Sequence, residues 1–246
     1  MPPKGYIRVP VAEDSFGAWL RNLPLLPGRP EVKLFNGRLK GNQGAQAAVL
    51  DVDVGTRDLQ QCADAIMRLR AEYLLATGRP NEICFRFTDG TDAVWLDWAA
   101  GLRPQKQGRS LAFVPEARPD SSYAGFRKYL NLVFTYAGSY SLHRELRKLS
   151  RQDVIEPGDV IIKGGFPGHA VVVMDVAANA HGHRVYLLAQ SYMPAQQIHI
   201  LASPGESDAW YRGSATAALT TPEWIFPAGS LHRFPARRCE AARLKR

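Results

Sequence analysis

The chain has 246 residues, 46% of them hydrophobic, and 31 basic against 23 acidic side chains leave a net charge of +8. That is enough apolar material for one large core or two small ones. Half of the excess charge sits in the last ten residues, RRCEAARLKR, and the body carries no basic stripe interleaved with aromatics, so nucleic-acid binding is not expected. No run approaches the roughly 20 apolar residues of a membrane span, and three cysteines, Cys62, Cys84 and Cys239, cannot all pair, so neither a membrane span nor a disulfide framework is expected.

Residues 1–45 are rich in Pro and Gly and read as a packing arm. Within it Phe16, Trp19, Leu20 and Leu23 recur at helical spacing behind Ser15, a candidate cap. Ala47 to Val54 alternates like a strand, setting Asp51 and Asp53 on one side. With no third ligand nearby, these acids read as a solvated face neutralised by Arg57 or a neighbouring Lys rather than as a cation site.

The longest helical stretch runs from Asp58 to Gly78. Asp58 and Gln61 have capping-box spacing, and Leu59, Cys62, Ile66, Leu69 and Tyr73 form one inward stripe. An inward Cys is ordinarily a small core residue. Early in a helix, however, free N–H groups and the positive end of the dipole favour a thiolate and later an oxyanion, which makes Cys62 a candidate nucleophile in need of a base.

Glu82 to Thr88 alternates as a half-buried strand and carries Cys84, a weaker nucleophile candidate. Trp95 and Trp98, three apart, line either a substrate cleft or a buried turn of helix. Ser110 to Pro115 is a further short strand. Ser122 to Ser150 reads as two helices broken at Gly138, with His143 in a charged run on the second.

The stretch PGDVIIKGGFPGHAVVVMDV follows: two β-branched strands joined by a Gly and Pro loop, with His169 where that loop ends. After the turn ANAHG comes HRVYLLAQSY, another strand. A turn centred between Asn179 and Ala180 opposes Asp175 to Arg184, Val173 to Tyr186, Val171 to Leu188 and His169 to Gln190. Gln190 would then orient His169 and leave the other ring nitrogen as a base. His181 and His183 flank the turn without an acid or Cys cluster and read as exposed. Beyond them the expected strands are Gln197 to Ala202 and a last one near Glu223 to Phe226. Tyr192, Trp210 and Tyr211 are candidates for a substrate wall.

The segments GNQ, DLQQCADA, MRLRAEYL, FTYAG, PGDV, GGFPGHAV, LLAQSYMPAQ and TPEW resemble those of a bacterial family known only as a domain of unknown function. Its core in turn resembles the papain-like cell-wall peptidases of the NlpC type. That likeness implies an α+β fold in which a Cys-bearing helix packs on an antiparallel sheet, with Cys62 as nucleophile, His169 as base and Gln190 as orienter. It also implies a peptide or peptidoglycan-derived substrate, no cofactor or metal, and a place in the cell envelope, with the cytoplasm also open. Gln43, upstream of the nucleophile, is the oxyanion candidate beside the Cys62 N–H. The pattern departs from those peptidases in placing Gln61 and Ala63 where an acid and a small hydroxyl residue usually flank the Cys.

The expected organisation is an arm at 1–45, a papain-like α+β domain at 46–236 and a basic tail at 237–246. A cysteine peptidase or amidase of this kind predicts a Cys62 thiol more acidic than usual. The alternative is a catalytically inactive envelope binding module of the same fold.

Overall fold

A computed structural model describes residues 1–108, 110–214, 216–236 and 239. The basic tail therefore lies outside the described residues apart from Cys239. In chain order the elements are β1 (Ile7–Arg8), α1 (Phe16–Arg21), β2 (Gln46–Val49), α2 (Cys62–Ala76), β3 (Cys84–Arg86), β4 (Asp92–Val94), α3 (Trp95–Ala99), β5 (Leu102–Gln107) and β6 (Ser110–Pro115). There follow α4 (Tyr123–Tyr136), α5 (Ser139–Glu145), β7 (Arg147–Lys148), β8 (Val160–Lys163), β9 (His169–Ala178), β10 (Arg184–Gln190), β11 (His199–Leu201), β12 (Leu219–Thr220), β13 (Ile225–Phe226) and β14 (Leu231–Arg233).

The architecture is mixed α+β. An antiparallel sheet of order β2-β11-β10-β9-β8-β14-β7, with β1 paired to β9, forms the base, and α2 packs across β9 and β10. Alternation along the strands divides the core in two. Val160, Ile162, Ala170, Val172 and Ala189 pack with α2 and the other helices, while Ile161, Val171, Val173, Leu188 and Leu201 pack with Tyr211, Phe226 and Leu231 on the opposite face. No helix among the described residues is long and apolar enough to cross a membrane.

The arm is woven into this base. Ser15 caps α1 by accepting from the Ala18 N–H at 3.1 Å. Asp175 of β9, expected opposite Arg184, instead takes Arg21 at 2.5 Å and Arg8 at 2.6 Å, tying α1 and β1 to the central strand. Asp53 lies beyond β2, which ends at Val49, and is neutralised not by Arg57 but by Arg127 at 2.8 Å and Arg68 at 3.3 Å.

The central hairpin has a different register from the one its sequence suggests. The loop Asn179–His183 is wider, with the Asn179 side chain accepting from the His181 and His183 N–H groups, so Tyr186 pairs with Val176 and Leu187 with Asp175. A bulge then skips Met174, and Leu188 pairs with Val173 and Ala189 with Val172. The three-position slip at the turn would turn Gln190 to the wrong face. The bulged residue removes one of those positions and leaves an even offset of two. His169 and Gln190 therefore share a face as diagonal rather than direct neighbours.

Two further expectations change. Among the described residues the last strand of the large sheet is β14, inserted beside β8, whereas the short β13 near Glu223 to Phe226 pairs with β12 in a separate ladder. Cys84 and Cys239 form a disulfide across 155 residues, which leaves Cys62 as the free cysteine and removes Cys84 as a nucleophile. Neither flanking sequence signals a pairing that only the folded path of the chain brings about.

Candidate functional site

Helix α2 begins on Cys62 itself. Gln61, not Asp58, is the cap, and its N–H donates to Asp64 Oδ2 at 3.1 Å. Asp58 is drawn off to accept from Gln61 Nε2 at 3.0 Å and from the Ala195 N–H at 2.7 Å. The cysteine thus occupies the first helical position, where backbone N–H groups have no partner within the helix. N–H groups of Ala63, Ala170 and Cys62 itself favour its thiolate form, and Ala170 is the residue after His169. The sulfur accordingly meets β9 at its first residues, at the backbone rather than across a side-chain face.

His169 is fully buried, and its Nε2 lies 2.8 Å from Gln190 Oε1. The direction of that bond is set one residue further out. Gln190 Nε2 donates to Glu223 Oε2 at 2.7 Å, so the amide oxygen must face the imidazole. His169 Nε2 therefore carries the proton and donates, leaving Nδ1 as a lone-pair nitrogen. Lys40 Nζ donates to the same Glu223 oxygen at 2.7 Å, which neutralises the carboxylate. The second Gln190 Nε2 hydrogen points to His199 Nε2 at 3.4 Å, while His199 Nδ1, 2.9 Å from Gln197 O, holds its own proton.

Around the imidazole stand Tyr192, with ring centroids 4.8 Å apart, Trp224 at 5.3 Å and Phe226 at 5.7 Å. Burial raises the Tyr192 phenol pKa, and the charges of Glu223 and Cys62 add to the effect. Two buried polar atoms here have no hydrogen-bond partner, the acceptor His169 Nδ1 and the donor Trp224 Nε1. Unpartnered polar atoms of opposite sense on neighbouring rings are what a group taken up from solution would satisfy.

Both candidate groups are held neutral. Burial pushes the Cys62 thiol up to about 11, and burial brings His169 down to about 4, partly opposed by Gln190. The expectation of an acidified thiol is thus corrected. The helix-start N–H groups lower the Cys62 pKa as anticipated, but desolvation outweighs them. Asp64 adds repulsion only when ionised, and burial itself holds that carboxyl well above the ordinary carboxylate range.

The remaining candidates lie elsewhere. Both Gln43 Nε2 hydrogens are spent on Val32 O and Lys40 O at 2.9 Å, and its Oε1 accepts from the Val32 N–H, so its amide staples the arm and offers no oxyanion donor. Trp95 and Trp98 are core residues packed on Phe126 and Tyr129, 2% and 8% exposed, not cleft walls. Trp210 and Tyr211 are buried too, and His181 and His183 are exposed turn residues. His143 is half-buried against His232, with ring centroids 4.7 Å apart. Among the described residues no cluster of His, Cys, Asp or Glu could hold a metal.

Sequence reasoning missed Lys40, Glu223, His199 and Trp224. The available signals were GNQ and TPEW, family-like segments that flank Lys40 or contain Glu223 and Trp224. Lys40 and Glu223 are 183 residues apart, beyond any local pattern.

Fold and site together define a class: an α+β protein that lays a helix-initial cysteine against a sheet carrying an amide-oriented histidine. The chain belongs to the family described as Domain of unknown function (4846), whose model matches residues 1–233. No curated protein and no solved structure matches it.

Proposed function

We propose that this chain is a papain-like, NlpC-type cysteine hydrolase acting on a peptide or amide bond, with cell-wall stem peptides as the substrate class. The observation that carries the reading is the tautomer. Gln190, held by Glu223, claims the Nε2 proton of His169 and leaves Nδ1 unpartnered at the strand end where the Cys62 sulfur lies. The pair rests neutral, so the nucleophile is made on demand. Cys62 passes its proton to His169 Nδ1 as sulfur attacks the carbonyl carbon, and the imidazolium returns that proton to the leaving amine. Water, deprotonated by His169, then releases the acid from the thioester and restores the thiol. N–H groups of the first α2 turn are the oxyanion donors, in place of Gln43. The disulfide supports an oxidising compartment such as the cell envelope.

A second reading, a binding module without turnover, is favoured by the same closure: Cys62 is 8% exposed and His169 0%. Incubating the protein with purified stem-peptide fragments and reading products by mass spectrometry separates the two. Cleavage by the native chain that is lost in Cys62→Ala and His169→Ala supports the hydrolase. Binding of the fragments by both native and Cys62→Ala protein, with neither cleaving them, makes the module reading correct.

A further inference from the structure

A cavity of about 720 Å³ lies between the arm and the PGD turn that precedes β8, and Ala178, at the other end of β9 from His169, lines it. Arg70, on its wall, follows Cys62 along α2 by about two turns, roughly 12 Å, so the two places are distinct. The PGD segment, prominent in the sequence and unused by the proposed chemistry, forms one wall.

That wall is built closely. A Cβ on Gly17 would stand 2.8 Å from Pro157 Cβ, and one on Gly158, at φ +97°, would stand 2.9 Å from Phe16 Cδ1. The two glycines let α1 and the turn interlock, so the cavity has rigid sides. Its apolar lining comes from Pro10, Val11, Phe16 and Phe234.

The charges within it do not balance. Arg233 takes both acids of the lining, Asp159 at 2.6 Å and Glu156 at 2.8 Å, and Arg8 is held by Asp175. Among the described residues Arg184 donates only to the Ile155 carbonyl, at 3.2 Å. Arg70 makes no hydrogen bond or ion pair among the described residues. Its guanidinium lies 5.2 Å from the Phe16 ring, 5.2 Å from that of Tyr73 and 5.3 Å from that of Phe234. Burial lowers its pKa, with Arg79 adding to the effect and Tyr73 and Glu82 opposing it. These ring contacts do not engage the guanidinium N–H groups in hydrogen bonds and leave them to a ligand, an arrangement suited to two-point recognition of an oxyanion.

The geometry points to a second ligand site in this cavity, one that takes a small organic anion: a carboxylate or phosphate headgroup on Arg70 and Arg184, with an apolar body against Phe16 and Phe234. This site is independent of the Cys62 chemistry.

The test is calorimetric titration of the whole chain with 4-phenylbutyrate, phenyl phosphate and the uncharged 4-phenylbutyramide. The expected result is binding of at least one anion, weakened about tenfold or more by Arg70→Gln and by Arg184→Gln, and equally weakened in the amide. Which anion binds more tightly distinguishes a carboxylate source from a phosphate source. Arg70→Lys retains charge without the planar fork and is expected to lie between native and Gln protein, which separates recognition from loss of packing. No anion binding by the folded native chain, amide binding as tight as the carboxylate, or affinity unchanged in both the Arg70→Gln and Arg184→Gln variants would overturn the assignment.

Discussion

Glu223 decides which end of the Gln190 amide faces His169. Its carboxylate takes Nε2 at 2.7 Å, and the imidazole is left with the oxygen. Glu223→Gln retains the shape but can present either an acceptor or a donor to Gln190, so the His169 tautomer is no longer dictated. The native chain is expected to show a low-field His169 Nε2–H proton resonance, and the variant to lose or broaden it. Glu223→Ala also leaves Lys40, with 4% of its side chain exposed, buried without its carboxylate. A cost of about 3 kcal/mol is expected in urea unfolding, and Lys40→Met in the same background should recover much of it.

Stability should fall at mildly acid pH. His169 and His199 are fully buried, and burial brings each from 6.5 to about 4. A lowered folded pKa gives stability that is complete above the unfolded value and lost as pH falls. The window is therefore between about pH 6.5 and 4, with a slope of roughly 1.4 kcal/mol per pH unit for each histidine. Urea midpoints across this window should show the slope, and His199→Gln should reduce it by roughly 1.4 kcal/mol per pH unit.

Cys62 gives the opposite sign at the alkaline end. Its pKa rises from 9.0 to about 11, so the stability it contributes is complete below 9 and is lost between 9 and 11. Iodoacetamide labelling of Cys62 should accordingly be slow at pH 7 in the folded chain, faster in urea, and should climb through the alkaline range. Rapid labelling of the folded chain at neutral pH would show a preformed thiolate and refute the neutral pair.

The Cys84–Cys239 disulfide closes a 155-residue separation, for which the chain-entropy model gives about 5 kcal/mol. Cys239→Ser, or a reductant, should lower the unfolding midpoint by an amount of that order. An unchanged midpoint, with two further thiols titrating in the native chain, would remove the crosslink.

Patterns confined to one segment were legible in the sequence: the α1 cap at Ser15, the inward stripe of α2 and the helix break at Gly138. The pairing of His169 with Gln190 was also legible, although the register behind it was not. Alternation specifies a face, which survives an even slip, whereas the width of the loop and the bulge at Met174 depend on how Asn179 and Asp175 are bonded in three dimensions. The support behind Gln190 was illegible because Lys40 and Glu223 belong to distant loops. The acidity of Cys62 was misjudged because helix position is local, whereas desolvation is a property of everything packed over it.

Met174 acts as a phase corrector. Because faces alternate with a period of two, the contact between His169 and Gln190 tolerates changes in hairpin length only in pairs, or in odd numbers that a bulge absorbs. A hairpin whose loop is one residue shorter, so that Ala178 pairs with His183, would need no bulge at Met174. One rebuilt with the same loop and an unbroken ladder would keep its sheet and turn its glutamine away from its histidine.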